Sequence, residues 1–262
     1  MQEETKEVTS EYAIGALRGI IGAIPYAGTA INEMLFDVRS RLKQNRINNF
    51  IEQFGAYMQN FSEAEIDTEH IKSEEFGDFF EALLKKVATT SNINKINRYK
   101  ELLGSQIVSP LALDFSNTFL EIIEKISENQ ILILKKLHDL GTTYTEHKIE
   151  VYERKQELKR YKENYQFQAN SYVESSSEYE YENKVKELET KIQKYEQLGV
   201  KYSYIFQPKT YSIEWAEFLF LLQDLASKSL IVDTSFRIND EPFSIVEITN
   251  FGIGFIDFIE HN

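Results

Sequence analysis

A mainly α-helical protein is what this chain predicts, and three observations carry that expectation. Apolar residues recur at three- and four-residue steps through most of its 262 residues, the signature of amphipathic helices. Four prolines and eleven glycines leave few breaks for long loops. Segments with two-residue alternation are confined to the last thirty-odd positions. The expected layout is a helical first half, a long charged arm of two helices, and a small closing module with two strands.

The bulk numbers bound the functions. Apolar residues make up 42% and aromatics 13%, enough for a core. The formal charge of −13 disfavours general nucleic-acid binding, which needs clustered Lys and Arg to neutralise phosphate. There is no cysteine, so disulfides, thiolate metal sites and a thiol nucleophile are excluded. Met1–Glu11 is acidic and polar, unlike a secretory leader, and the expected location is cytoplasmic.

Ala13–Ala27 reads AIGALRGIIGAIPYA. It is shorter than the about 20 apolar residues a bilayer span requires, and Arg18 sits near its middle. Small residues at Gly15, Gly19, Gly22 and Ala23 permit close helix approach, read first as tight core packing. The alternative is a segment that enters lipid on activation, with Gly15, Arg18, Gly19 and Gly22 as its membrane or partner contacts. Gly28–Phe61 is expected to be one amphipathic helix. Its inward stripe is Ile31, Leu35, Val38 and Leu42, then Ile47, Phe50, Ile51, Phe54, Tyr57, Met58 and Phe61. Arg39, Arg41, Lys43 and Arg46 form the densest basic cluster. They read as a solvated face or, alternatively, as an anion or lipid-headgroup contact.

Glu63–Glu75 is a polar connector. Ser73 caps a helix to about Ala88, with Phe76, Phe79, Phe80, Leu83, Leu84 and Val87 inward. Helices over Asn94–Val108, ended by Pro110, and Phe115–Ile126 follow, completing an N-terminal helical bundle over 1–128. Ser127-Glu-Asn-Gln130 is a capping box opening a helix that stops at Gly141.

Glu146–Leu198 is the arm. Val151, Leu158, Tyr161, Tyr165 and Tyr172 on one helix, and Tyr181, Val185, Leu188, Ile192 and Tyr195 on the other, form thin seams in a charged background. Ser175, Ser176 and Ser177 suit the reversal. An antiparallel coiled-coil hairpin within one chain is expected. Pairing between two copies, a homodimer, is the rival.

After Pro208, Ser212 is expected to cap Ile213–Ala226, a helix holding Trp215, Phe218, Leu219, Leu222 and Leu225. Leu230–Arg237 and Phe243–Ile248 read as strands, turning through Asn239–Pro242, and Thr249 caps a last helix. The text Leu222–Asp233 and Phe243–Ile259 resembles the recognition helix, wing and closing helix of a winged helix. Gln130–Leu140 would open that module, giving a winged-helix-like domain over 129–262 with the coiled coil inserted at about 146–198. Its reader positions Glu214, Glu217, Gln223 and Asp224, and wing tip Asn239, Asp240 and Glu241, are acidic or neutral, which disfavours DNA.

Gly22–Phe50 ("GAIPYAGTAINEMLFDVRSRLKQNRINNF"), Phe76–Ile107 and the tail "EITNFGIGFIDFI" resemble the abortive-infection alpha family of bacterial proteins. The resemblance covers about half of the chain, and the charged arm departs from the family core. It implies a bacterial, cytoplasmic, helical protein of phage defence, and it brings no catalytic residues. Among the residues themselves, His70, His138, His147 and His261 are scattered, and no H-E-x-x-H, G-x-S-x-G or P-loop occurs. No catalytic residue, metal or cofactor is therefore expected. The expected function is a non-enzymatic phage-defence protein working through protein contacts. The alternatives are a membrane-acting toxin and a DNA-binding winged-helix regulator.

Overall fold

Helix-favouring, amphipathic sequence produces what its spacing dictates: the chain is mainly α. A computed structural model describes residues 22–25, 41–110, 113–169 and 177–259. Among these it contains ten α-helices and one two-stranded antiparallel sheet. They divide into two compact units, one drawn from 1–126 and 257–262, the other spanning Ser127–Ile256.

In the first unit, α1 (Arg41–Met58) packs on α3 (Glu74–Thr89) and α4 (Ile93–Val108), and α5 (Leu113–Lys125) packs on α3 and α4. The connector before α3 holds a 3-10 turn, Glu63–Glu65, and a single helical turn, α2 (Thr68–Ile71). Side chains at helical spacing bury Phe50, Phe54, Phe76, Phe79, Phe80, Leu83 and Leu84 in one apolar mass. Ser73 Oγ accepts from the Phe76 amide at 3.2 Å and starts α3. Asn92 Oδ1 accepts from the Asn94 and Lys95 amides and starts α4. These side chains satisfy amides that have no partner inside the helix. The Ile24–Pro25 segment crosses α3 closely: a Cβ on Gly77 would lie 3.0 Å from the Pro25 carbonyl oxygen.

Leu42 departs from the expected stripe and is exposed. The buried set Ile47, Phe50, Phe54 and Met58 defines one face of α1. At about 100° per residue, Leu42 falls on the opposite side. The expected helical residues 28–40 lie outside the described part of the chain, and α1 ends at Met58, short of the expected Phe61, in a turn.

The second unit opens with α6 (Glu128–Leu140). Its capping box is complete: Gln130 N donates to Ser127 Oγ at 3.2 Å, and Ser127 N donates to Gln130 Oε1 at 2.9 Å. Gly141 ends the helix at φ 58°, a conformation that suits glycine. Then come α7 (Thr143–Ala169), α8 (Ser177–Tyr202), two 3-10 turns, α9 (Trp215–Ser227), β1 (Ile231–Asp233), β2 (Val246–Ile248) and α10 (Asn250–Ile259), whose residues from Asp257 onward belong to the first unit. Ile231 pairs with Ile248, Val232 with Glu247 and Asp233 with Val246. Gln130 has a second role. Its Nε2 donates to Asp224 Oδ2 at 2.6 Å and to the Leu221 carbonyl at 3.5 Å, tying α6 to α9.

Two local expectations are corrected. Ser212 does not cap α9. It sits at φ 57° after the 3-10 turn Pro208–Tyr211, and Glu214 occupies the cap position without a side-chain bond. The strands are also shorter than expected. The Asp233 carboxylate accepts from the amides of Ser235 and Phe243, each at 3.0 Å, and from the Ser235 hydroxyl. An Asp that bonds the backbone two residues on curls the chain, so β1 stops and Ser235–Ile238 becomes a 3-10 turn. Thr249 does cap α10, accepting from the Gly252 amide at 2.9 Å. Gly252 is required there, because a Cβ would stand 2.1 Å from the Leu230 carbonyl oxygen.

Candidate functional site

The basic cluster is split by its own helix. Arg39 lies outside the described residues. Arg41 and Lys43 are both exposed, and a two-residue step turns them about 200° apart around the helix axis. Arg46 points inward instead. Its Nη1 donates to the Ala88 carbonyl at 3.2 Å, at the C-terminal end of α3. A helix terminus with unpaired carbonyls favours a cation there. Gly15, Arg18 and Gly19 lie outside the described residues, and Gly22 is exposed with open space where a Cβ would stand.

The two arm helices lie against each other over much of their length. Lys155 pairs with Glu196 at 2.7 Å and Lys162 with Glu189 at 3.1 Å, so the helices run in opposite directions. Between them Leu188 and Ile192 are buried, and the Tyr181 ring stacks on Tyr165 at 3.8 Å and on Tyr161 at 5.6 Å. Tyr172, Ser175 and Ser176 lie outside the described residues, and Ser177 opens α8. Arg154 sits between Glu150 and Glu157, and those carboxylates push its pKa above the ordinary value, the Glu157 hydrogen bond most strongly.

The start of α7 is tied down by aromatic and polar contacts. Tyr144 stacks on Phe206 at 4.5 Å, and its phenol is pushed up to about 12 by burial and then by the negative charge of Asp240. Asn239 Nδ2 donates to the Tyr152 hydroxyl at 2.8 Å, so the tip of the β1–β2 connection is held to α7. A cleft of about 380 Å³ opens here, lined among others by Tyr144, His147, Lys148 and Tyr195. His147 Nδ1 is buried without a hydrogen-bond partner. One unpartnered imidazole nitrogen can hold a polar group of a ligand. A hydrolytic site also needs a nucleophile and an orienting group in register with it.

α9 presents a different surface on each side. Phe218, Leu221, Leu222 and Leu225 are buried. On the other side Phe220 is 63% exposed, with Ala216 also exposed; Trp215, in the first turn with its ring 5.9 Å from that of Phe218, is 55% exposed. Glu214, Glu217 and Gln223 are exposed around them. Asp224, expected to be an exposed reader position, is instead engaged: it pairs with Lys228 and accepts from Gln130. Burial pushes its pKa up, but the hydrogen bonds from Lys228 and Gln130 outweigh burial and bring it below the ordinary carboxylate value. Reading α9 as strongly apolar concealed this face. The clue was available in the sequence: Ala216 and Phe220 lie one turn apart, away from the Phe218, Leu222 and Leu225 stripe, while Trp215 stands at the N-terminal end of that stripe, where the helix begins.

Among the described residues, no group of three or more His, Asp or Glu side chains is placed to hold a metal ion. No helix among them is long and apolar enough to cross a membrane. No family model matches the chain, and no curated protein and no solved structure matches it either.

Proposed function

We propose that this chain is a non-enzymatic, cytoplasmic protein of bacterial phage defence that acts through contacts with another protein. The observation that supports it most is the pair of exposed aromatic side chains on α9. Two large aromatic side chains, Trp215 and Phe220, stand in solvent within two turns of one helix, while the other exposed aromatics among the described residues, Phe115, Phe167, Tyr179, Tyr204 and Phe236, lie on separate elements. Trp is enriched among residues that dominate binding energy at protein interfaces. The defence assignment rests on the resemblance carried by Gly22–Phe50, Phe76–Ile107 and the closing helix. In this reading the first unit is a helical bundle, the arm is an intrachain antiparallel coiled coil, and α6, α9, the short sheet and α10 form a winged-helix-like module. The acidic rim of α9, Glu214 and Glu217, favours a protein over a phosphate backbone as its partner.

The test is a plaque assay in a bacterial host carrying the wild-type gene or the double variant Trp215→Ser/Phe220→Ser. Folding of both is checked by circular dichroism. Wild type should protect, and the folded double variant should lose protection. An unprotected wild-type host would remove the defence assignment. Equal protection by the folded double variant would remove α9 as the working surface.

A further inference from the structure

A second cavity, of about 590 Å³, lies within the first unit between the C-terminal end of α1 and the second half of α4. Its walls are unlike. Phe61, Val108 and Phe258 supply apolar surface, and Asn60, Ser105 and Ser109 supply neutral polar groups. Glu101 also lines it. The Glu101 side chain is 16% exposed, and its Oε2 is buried with no hydrogen-bond partner. Buried polar atoms are nearly always paired, and an ionised carboxylate accepts but cannot donate. Lys100 compensates in part: its ammonium lies 4.0 Å from the other carboxylate oxygen and 5.3 Å from the Tyr57 ring centre. One oxygen remains unmet.

The wall beside Glu101 is built with glycine. A Cβ on Gly104 would sit 2.3 Å from Tyr57 Cε1. A bare backbone at 104 therefore lets the Tyr57 ring lie on α4. The ring continues the aromatic surface to Phe61, 5.2 Å away. Burial first, then the hydrogen bond and charge of Glu101, raise the Tyr57 pKa well above its ordinary value, so the phenol keeps its proton at neutral pH.

We propose that this cavity binds a small amphipathic amine, its ammonium donating to Glu101 and its hydrocarbon body lying against Phe61, Val108 and Phe258. The volume suits such a molecule, since small-molecule sites run from about 300 to 1,000 Å³ and combine apolar walls with few polar anchors. The ammonium supplies the donor that Glu101 Oε2 lacks, and the chain's net negative charge draws cations towards it. The site lies in the first unit, apart from α9, and stands whether or not the plaque assay succeeds.

The experiment uses the full chain with three probes of one shape: 2-phenylethylamine, 2-phenylethanol and 3-phenylpropionate. Binding is read by ligand-observed NMR and calorimetry at neutral pH. The amine should bind, the alcohol about tenfold more weakly, and the carboxylate undetectably. Glu101→Gln should lower amine affinity about tenfold and leave the alcohol unchanged, since a charge-assisted hydrogen bond is lost. Val108→Trp should fill the cavity and abolish binding of all three, with circular dichroism confirming the fold of each variant. Equal amine binding by wild type and Glu101→Gln would show attraction to surface charge alone and would overturn the site. So would failure of the amine to bind wild type, or an alcohol that binds as well as the amine.

Discussion

The phenylalanine-rich core of the first unit and the seam of the α7–α8 arm are written with the same three- and four-residue spacing, yet they bury very different amounts. Phe76, Phe79, Phe80, Leu83 and Leu84 on α3 are all essentially inaccessible to solvent, because neighbours meet that helix from several sides. Along the arm, Leu188 and Ile192 are buried, while Val151, Leu158, Tyr161, Tyr165, Tyr181 and Val185 are half-buried. Each arm helix has one neighbour along most of its length, so its apolar side chains are covered on one side. The difference teaches that spacing selects the face a helix buries, and the number of neighbours decides how much that burial stabilises. The core should carry global stability, and the arm should open locally at lower cost.

Breaking the core is the largest effect expected. Phe80→Ala leaves a cavity among residues that cannot relax into it, which costs about 3–5 kcal/mol. Urea denaturation followed by circular dichroism would measure it. A loss below about 1 kcal/mol would mean the site collapses freely, and the contrast with the arm would disappear.

The parts of this architecture that sequence revealed were those set by short-range chemistry. Ser73, the Ser127–Gln130 box and Thr249 each bond an amide three residues on, so type and spacing suffice to find them. The α9 cap was missed because the chain enters from a 3-10 turn with Ser212 in a left-handed conformation. The strands were overestimated because alternation does not reveal that Asp233 will capture the Ser235 and Phe243 amides. Arg46 looked like its basic neighbours, and its contact with Ala88, 42 residues away, is purely tertiary. Glu101 was hidden for the same reason. Beside Lys100 in sequence it reads as solvated charge, and the tertiary packing that buries its Oε2 without a partner is not written in local spacing.

A smaller effect should follow from cutting the seam at its best-covered point. Leu188 is 1% exposed, and Leu188→Ala should cost about 2 kcal/mol, the low end for such a change, because two helices with solvent on their outer faces can close around the gap. Hydrogen exchange makes the comparison sharper than the total. Amides of α7 and α8 should exchange faster in the variant, while those of α3 keep wild-type protection. Equal acceleration in both places would show the arm and the core unfolding as one cooperative unit.

The smallest effect belongs to the charges that cross the seam. Lys155–Glu196 and Lys162–Glu189 have good distances, but all four side chains are about half in water. Exposed pairs gain little, because water screens the attraction and two long side chains must be ordered to make it. A double-mutant cycle over Lys155→Ala and Glu196→Ala should return a coupling of at most about 0.5 kcal/mol, and it should vanish at about 1 M salt, where the screening length falls to about 3 Å. Glu157 is the place where charge could contribute more, since it meets both Arg154 on its own helix and Lys184 on the other. A Lys155–Glu196 coupling above about 1 kcal/mol would exceed the range for exposed pairs. It would make the ion pairs, and no longer Leu188 and Ile192, the main reason the two helices stay together. The arm would then loosen with rising salt while the phenylalanine core did not.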